Sequence, residues 1–549
     1  MHLTELKNIL LICIVLKIKM KKSLLFILLL GLSFTACSEQ DVDDNQINVV
    51  ADPTPNDDSG TTSSTTDTGN SGNSETTSVN TEVNDYIWKG LNLWYYWQEE
   101  VDDLADTFDD NQSQYTSFLQ SYADPEDFFN NLNHPDDRFS WIDPDYNNLE
   151  NQLSGISASN GMKFILYRRC SGCETLIGAV TYVLPDSDAA TKGVIRGDLF
   201  NAVDGQELTL SNYRSLLYGQ SLNYSIDLIN YDSATDVVVP RDITINLVKE
   251  ENFQEEPIHK NVVVDHNGTR VGYLMYNKFV GEVDSNDDGT NEFDFNQELI
   301  DAFASFGTEN ISELVIDLRY NGGGSVRTCT YLASLITGQF TGTIFAQQQW
   351  NSKLMAYFND LNTNSNPNDD FDLNDYFVDT THTGVALQGL GLNRVYILTS
   401  GRSASASELL INGLSPHINV VQIGTATYGK NVGSITIYDY IDNSGNERNP
   451  NHTYAMQPIV LRIANSDNYA DYTNGLEPDV ELRESASTYG ILGDVNEPLF
   501  AAALNHISGG TAKRSYDPTP FEMIKNPVVE SQQQMVVDLP KGFRFPNED

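Results

Sequence analysis

The spacing of hydrophobic residues changes along the chain and predicts three regions of different secondary structure. Residues 84–154 carry Trp, Tyr, Phe and Leu side chains at helical spacings, which is typical of helices with one buried face. Residues 155–250 alternate short β-rich runs with turns. From residue 251 to residue 507, strand-like apolar runs alternate with amphipathic segments, and this alternation predicts an α/β region.

Within the α/β region, two predicted elements frame a run of small residues. Residues 394–400 are apolar and predict a buried strand, and residues 404–414 carry three leucines on one side of a predicted helix. Ser405 therefore lies at the mouth of a helix. There, unpaired amide groups and the positive end of the helix dipole stabilise a developing negative charge.

Three short motifs contain the residue types of a nucleophilic site. Residues 402–408 read RSASASE, residues 427–430 read TYGK, and residues 317–324 read DLRYNGGG. A serine hydroxyl needs a neighbouring base, and a lysine can serve once loss of solvent lowers its pKa towards neutrality. Taken singly, the first motif is typical of a helix cap and the second of a turn. Taken together on these elements, the motifs favour catalysis.

With these motifs in this order, the chain resembles the C-terminal processing (tail-specific) serine proteases. The resemblance implies that Ser405 is the nucleophile and Lys430 the general base of a Ser-Lys dyad. It also implies that Gly323 or Gly324, together with Ala406, donates the amides of an oxyanion hole. No cofactor is expected for this chemistry.

Two departures from the family pattern concern the surroundings of the lysine. Family members often carry a glutamine four residues after the lysine, where this chain has Ser434, and some carry an acidic residue where this chain reads LSPH at residues 414–417. Altered supporting residues are expected to affect rate rather than reaction type. His417 offers a Ser-His alternative, but it follows a proline in a predicted loop, which favours a surface histidine.

Residues 155–250 resemble the PDZ domain of the same proteases. The segments GVIRGD at residues 193–198 and VDGQ at residues 203–206 carry this resemblance. PDZ domains add an extended peptide to a sheet edge and hold its terminal carboxylate on backbone amides. We expect the turn at Gly161 and Met162, with Phe164 beyond it, to be that substrate-binding loop; an ordinary hairpin is the alternative.

The N-terminal 83 residues have the pattern of a secretory signal followed by a disordered linker. Residues 1–36 contain the basic, apolar and small-residue parts of a signal peptide, and Cys37 follows as in a bacterial lipobox. Residues 37–83 are too polar to bury a core, which predicts disorder. We therefore expect an exported protein, lipid-anchored through Cys37 to a bacterial membrane, on the periplasmic face or the cell surface.

The charge and the cysteine content of the chain limit which binding partners and metal sites can be expected. The chain has 32 basic and 77 acidic residues and a net charge of -45, which argues against nucleic acid as a partner. Cys170 and Cys173 fit a redox pair, half a zinc site or a disulfide; an exported protein favours the disulfide. Since no second ligand motif of the usual spacing occurs, we predict no metal site.

The combined prediction is a serine endopeptidase of three domains. A small helical domain at residues 84–154 precedes a PDZ-like β-rich domain at residues 155–250. A crotonase-like α/β catalytic domain with ββα elements follows at residues 251–507, and residues 508–549 form a tail. The substrates are expected to be polypeptides that enter by a flexible C-terminal segment captured by the PDZ-like domain. The alternative is a non-catalytic peptide- or ligand-binding lipoprotein on the same fold.

Overall fold

The computed structural model describes most of the chain after residue 70. The described ranges are residues 71–232, 235, 237–283, 291–364, 372–441, 447–486, 488–510, 521–524 and 535–537. The predicted signal peptide and the lipidation site at Cys37 lie outside them and stay predictions. No helix within these ranges has the length and apolar character needed to cross a bilayer.

The first part of the described chain is mostly helical. Its elements are α1 (Ser71–Trp94), α2 (Gln112–Leu119), α3 (Pro125–Asn131), strand β1 (Trp141–Asp143) and α4 (Tyr146–Leu153). The predicted disordered tether therefore ends earlier than residue 83, because α1 begins at Ser71 and Val83 on it is fully buried. Helix α3 begins with Pro125, and the side chain of the preceding Asp124 accepts a hydrogen bond from the Glu126 N–H. Both features favour the start of a helix.

The helical region shares the hydrophobic core of the α/β region. Trp94 on α1 and Phe128 and Phe129 on α3 belong to the same buried cluster as strand and helix residues from the second half of the chain. Strand β1 pairs with residues 455–457. The helices are therefore a layer on the α/β region rather than a separately packed unit.

The predicted PDZ-like segment is an antiparallel sheet with its own hydrophobic core. Strands β3, β4, β5, β7 and β8 follow one another across this sheet, with β6 paired to β5, whereas β2 pairs with β9. The elements are β2 (Ile156–Ser159), β3 (Met162–Arg168), β4 (Leu176–Val183), α5 (Asp188–Thr191), β5 (Leu199–Val203), β6 (Gln206–Glu207), α6 (Tyr213–Tyr218), β7 (Asn223–Asp232), β8 (Val237–Val248) and β9 (Glu250–Gln254). Cys170 and Cys173 form a disulfide beyond β3, which confirms the favoured interpretation.

The α/β region contains a mainly parallel sheet and a second, mixed sheet. The elements are β10 (Ile258–His266), β11 (Thr269–Tyr276), β12 (Glu282–Val283), β13 (Phe293–Asp294), α7 (Phe295–Thr308), β14 (Glu313–Asp317), β15 (Gly324–Ser325), α8 (Val326–Thr337), β16 (Ile344–Trp350), α9 (Ser352–Asn364), β17 (Asn374–Tyr376), β18 (Arg394–Thr399), α10 (Ala406–Leu414), β19 (Asn419–Gly424), β20 (Val432–Ser434), β21 (Ile437–Tyr438), β22 (Ala455–Gln457), β23 (Ile459–Asn465), β24 (Val480–Glu481) and α11 (Pro498–Ile507).

The parallel strands set the position of the candidate site. Strands β11, β14, β18, β19 and β24 are parallel neighbours, with β10 antiparallel at the edge. Since β14 and β18 are adjacent and parallel, the glycine turn after β14 and the small-residue motif after β18 leave the sheet at the same end. The predicted mixture of α and β structure is confirmed, and the predicted strand at residues 394–400 is β18.

The predicted tail contributes two short strands. Strand β25 (Glu522–Met523) pairs with β3 at the edge of the PDZ-like sheet. Strand β26 (Met535–Val536) lies between β15 and β20 in the second sheet of the α/β region, parallel to both. The C-terminal segment is thus part of both regions.

Candidate active site

Ser405 has an unusual backbone conformation at the start of a helix. Its φ of 64° and ψ of -117° lie in a region that residues with side chains rarely adopt. Helix α10 begins at Ala406, two residues later than predicted, so Ser405 directly precedes it. The Ser405 side chain is buried, and its Oγ has no hydrogen-bond partner within the described residues. Backbone strain and an unpaired buried hydroxyl are both features that concentrate at functional sites.

Glu408 links the serine motif to the lysine motif. Its Oε2 accepts the backbone N–H groups of Ser405 and Lys430, each at 2.8 Å. Its Oε1 accepts the Thr427 hydroxyl at 2.6 Å and the Gly429 N–H at 2.7 Å. Because one buried carboxylate binds both segments, the backbones of Ser405 and Lys430 lie side by side. Burial raises the pKa of Glu408, and these hydrogen bonds oppose the rise.

The glycine turn contacts the serine motif directly. The carbonyl oxygen of Asn321 accepts the Ala404 N–H at 3.1 Å and the Ser407 hydroxyl at 3.0 Å. The Ser403 hydroxyl donates to the carbonyl oxygen of Leu318 at 2.8 Å. The structure therefore brings all three predicted motifs together at one place.

Lys430 is buried beside an aromatic ring. Its Nζ lies 4.9 Å from the centre of the Phe139 ring. Burial lowers the pKa of Lys430 to about 7, although the negative charges of Asp137 and Glu408 favour the protonated form. A lysine with such a pKa is partly neutral at physiological pH and can accept a proton from a hydroxyl.

The segment before β1 surrounds the lysine from the helical side. Arg138 donates to the carbonyl oxygen of Gly429 at 2.9 Å, and its guanidinium lies 4.8 Å from the Phe139 ring centre. Asp137 accepts the Tyr95 hydroxyl at 2.7 Å and the Phe139 N–H at 2.8 Å. The neighbours of Lys430 thus include residues that lie almost 300 positions earlier in the chain.

Ser434 occupies the position of the glutamine found in many family members, and it has a different partner. Its hydroxyl donates to the carbonyl oxygen of Met535 on β26 at 3.4 Å. Ser434 thus joins β20 to the C-terminal strand. The surroundings of Lys430 are supplied instead by Glu408 and by residues 137–139.

The predicted oxyanion donors differ in their environments. The Gly323 N–H donates to Asn321 Oδ1 at 2.8 Å, so this amide already serves the turn itself. Gly324 has a φ of 134°, and a Cβ there would lie 2.0 Å from the carbonyl oxygen of Phe279. Only glycine fits at that position. Ala406 is the first residue of α10 and is fully buried beside Ser405.

The predicted substrate-binding turn lies in the PDZ-like sheet, apart from the serine. The Gly161 N–H donates to Ser159 Oγ at 3.1 Å, and the Met162 N–H donates to Asn160 Oδ1 at 3.0 Å. Two amides expected to hold a terminal carboxylate are therefore already hydrogen-bonded within the turn. Phe164 is half-buried, with its ring 5.6 Å from the Phe200 ring.

His417 is not the exposed residue that its loop position suggested. It is half-buried, and its ring packs against Phe340 and Phe377 at centroid distances of 5.1 and 4.9 Å. Its Nε2 lies 3.0 Å from the carbonyl oxygen of Ile344. These contacts explain His417 as a packing residue and give no support to a Ser-His pair.

A second buried cation lies beside the glycine turn. Arg319 is completely buried and forms salt bridges with Asp317 at 2.7 Å and with Glu484 and Glu497, each at 2.6 Å. Burial disfavours its charge, but the three carboxylates hold the pKa of Arg319 above its usual range. Glu497 also caps α11 by accepting the Phe500 N–H. The cluster fixes the strand that leads into the turn.

Sequence reasoning missed three residues of this site. Glu408 stands three positions after Ser405. A glutamate at this spacing reaches back to the start of a helix, so the sequence does predict its contact with the Ser405 backbone. Asp137 and Phe139 belong to the DDRFSW segment at residues 136–141, which carries no local sign of contact with Lys430. No cluster of three or more potential metal ligands occurs within the described part of the chain.

Comparison with known proteins places the chain in a family. Residues 270–482 match the model of peptidase family S41, and residues 82–141 match the model of the peptidase S41 N-terminal domain. A carboxy-terminal-processing protease of Bartonella bacilliformis is 23% identical over 256 residues, which are 45% of this chain and 47% of that protein. By these matches, the chain contains a peptidase family S41 domain at residues 270–482 and a peptidase S41 N-terminal domain at residues 82–141.

Solved structures of the family are similar to this chain. A putative S41 protease from Bacteroides fragilis is 25% identical, with a TM-score of 0.57 over 77% of this chain and 97% of that chain. The photosystem II D1 C-terminal processing protease is 16% identical, with a TM-score of 0.42 over 77% of this chain and 98% of that chain. The match to the curated relative spans about half of that relative's length.

Proposed function

We propose that the protein is a serine endopeptidase in which Ser405 and Lys430 form the catalytic dyad. The observation that carries this proposal is the buried carboxylate of Glu408, which binds the backbones of both residues. The lowered pKa of Lys430, about 7, supports its role as the base. The strained conformation of Ser405 supports its role as the nucleophile.

The reaction follows from these roles. Neutral Lys430 takes the hydroxyl proton as Ser405 Oγ attacks the carbonyl carbon of the scissile peptide bond. The negative oxygen of the tetrahedral intermediate is stabilised by the Ala406 and Gly324 amides and by the N-terminus of α10. Protonated Lys430 then gives its proton to the departing amine. A water molecule, activated by Lys430 in the same way, hydrolyses the acyl-enzyme and restores Ser405.

The proposed substrates are polypeptides that enter by a flexible C-terminal segment. Strand β3 follows the turn at Gly161, and an extended peptide can add to the side of β3 that faces away from β4, where β25 pairs with Tyr167 and Arg168 in the structure. Since two amides of that turn are already hydrogen-bonded, we expect the strand edge to contribute more to binding than the terminal carboxylate does. We further propose that Cys37 carries a lipid that holds the enzyme on the membrane.

Cleavage of a denatured protein by four forms tests the proposal: wild type, Ser405→Ala, Lys430→Ala and the double variant. Each single change should reduce kcat/KM by at least roughly a thousandfold, and the double variant should be scarcely worse, because the two residues act as a unit. Ser415→Ala, the same substitution beyond the other end of α10, is the matched control and should be fully active. Thermal melts establish that each variant is folded.

Absence of Ser405-dependent cleavage would support the alternative, a non-catalytic peptide-binding lipoprotein. In that case, purified wild type would show no cleavage that Ser405→Ala removes, yet it would still bind an unstructured peptide. Retention of full activity in Lys430→Ala would remove the lysine from the proposed mechanism.

A further inference from the structure

The C-terminal segment lies on the edge of the PDZ-like sheet. Strand β25 is antiparallel to β3, with Glu522 opposite Arg168 and Met523 opposite Tyr167. The Ile524 N–H continues this pairing by donating to the carbonyl oxygen of Leu166 at 3.1 Å. Residues 521–524, which we call the strap, therefore form the outermost strand on this side of the sheet.

Two strap side chains contact the PDZ-like region, three positions apart. Ile524 packs against its hydrophobic core, as do Phe164 on β3 and Leu216 and Tyr218 on α6. The Phe521 ring lies 4.5 Å from the Tyr231 ring and 6.0 Å from the Tyr167 ring. Met523, between them, is 48% exposed. The strap thus presents an aromatic residue and an aliphatic residue to the region and leaves an intervening side chain in solvent.

The strap occupies the backbone groups of β3 with which an incoming peptide would pair. A sheet edge offers unpaired N–H and C=O groups that bind an extended segment. Because successive side chains of a strand point to opposite faces, Phe521 and Ile524, three positions apart, contact different faces of the sheet. Because β25 is antiparallel to β3, the strap runs towards the turn at Gly161. A substrate that enters with its C-terminus towards this turn has the same direction. Strap and substrate therefore cannot both pair with residues 166–168.

The strap is held in the molecule on both sides. It follows α11, and ten residues separate Ile524 from β26. Met535 on β26 is fully buried and pairs with Gly324, and Val536 pairs with Ser325 and Ser434. A covalently tethered segment has a high effective concentration, so weak contacts suffice to fill the edge. The contacts described for residues 521–524, a short strand pairing and two apolar side chains, fit a competitor that a substrate can displace.

We propose that the strap is an internal pseudo-ligand of the peptide-binding edge. The edge accepts extended peptides with an aromatic residue at the position of Phe521 and an aliphatic residue at the position of Ile524, and a substrate binds by displacing the strap. This inference rests on the proposed function only for its effect on cleavage. Binding of peptide to the edge does not require that Ser405 be catalytic.

Release of the strap tests the proposal. Ile524→Asp should expel the strap, because a carboxylate is unfavourable against the apolar core. In a Ser405→Ala background, a fluorescent peptide with the sequence of residues 519–526 should bind the released form at least about tenfold tighter than the form with the native strap. Ile491→Asp, the same change at a side chain that is 76% exposed, is the matched control and should bind as the native strap form does. Equal peptide affinity in all three would overturn the proposal.

A locked strap gives the complementary test, which also holds if Ile524→Asp fails to fold. Tyr167→Cys with Met523→Cys places two thiols at paired positions, and their oxidation should prevent peptide binding until reductant is added. Tyr167→Cys alone, treated identically, controls for reduction of the Cys170–Cys173 disulfide. Peptide binding that is unchanged by the lock would exclude the strap as a competitor. If binding responds to the strap while no variant cleaves, the strap proposal stands and the peptidase proposal fails.

Discussion

Two buried cations near the candidate active site have opposite protonation behaviour. Arg319 and Lys430 are both almost inaccessible to solvent. Arg319 binds three carboxylates, which keep its guanidinium charged. Lys430 faces the Phe139 ring, and burial lowers its pKa to about 7. Burial alone therefore does not decide the protonation state of a cation; the neighbours of Arg319 keep it charged, whereas those of Lys430 leave its pKa lowered.

The two clusters also differ in what they join. The Arg319 cluster links β14 to residues near the C-terminal end of the α/β region, and Arg196 of the PDZ-like region also binds Glu484. The Lys430 pocket joins the serine motif to residues 137–139. The first arrangement supports the glycine turn, and the second buries the Lys430 side chain.

Arg319→Met should have the largest effect on stability. The change leaves Asp317, Glu484 and Glu497 close together without their common partner. Loss of one member of a buried ion cluster typically costs about 3–5 kcal/mol. The free energy of unfolding at pH 7, measured with denaturant, should fall by this amount. An unchanged value would mean that the cluster is not needed for stability.

Lys430→Met should increase the free energy of unfolding, whereas Arg319→Met lowers it. In the wild type, folding lowers the lysine pKa from 10.5 to about 7, so below pH 7 folding keeps a charged ammonium buried at a cost. Methionine should therefore increase the free energy of unfolding at pH 6 by up to roughly 5 kcal/mol. The gain should shrink between pH 7 and pH 10.5, since folding there requires the lysine to release its proton, and this release costs less as the pH approaches 10.5. A gain that is independent of pH would contradict the lowered pKa.

Phe139→Ala should alter the pH profile of cleavage. Removal of the ring admits water to Lys430, and the lysine pKa should rise towards its ordinary value. A rise of one unit would lower kcat/KM at pH 7 by about fivefold, because the neutral fraction of the lysine falls from about one half to about one eleventh, and would leave the rate near pH 10 almost unchanged. Phe293→Ala, at a partly exposed ring, is the control. A uniform loss of rate at every pH would indicate a purely structural role for Phe139.

The sequence was informative where chemistry is local and uninformative where pairing is remote. The motifs around Ser405 and Lys430 could be recognised because residue types and spacing indicate a helix start and a candidate base. Strand β25 could not be predicted, because Glu522 is defined as strand only by its partner Arg168, more than 350 positions earlier. The start of α1 at Ser71 was missed for a similar reason. Its first turns are polar, and its buried residues, such as Val83, pack only on distant elements.

Within the glycine turn, the sequence does not show which amides are free to form an oxyanion hole. Gly323 and Gly324 are equivalent in sequence, and only the position of Asn321 Oδ1 shows that the Gly323 amide is already used. The same holds for Gly161 and Met162, whose amides bind the neighbouring side chains of Ser159 and Asn160. Hydrogen bonds within a turn depend on backbone geometry that residue types alone do not specify.

The most direct test of the proposed Ser405–Lys430 dyad is the pH dependence of covalent labelling by a fluorophosphonate, with the labelled residue identified by mass spectrometry. If Lys430 activates Ser405, the reagent should place a single label on Ser405, with a labelling rate that rises through an inflection near pH 7 as Lys430 loses its proton. In Lys430→Ala the label should be nearly absent at every pH up to 8. A label on another residue, or labelling of Ser405 that persists unchanged without Lys430, would contradict the proposed dyad.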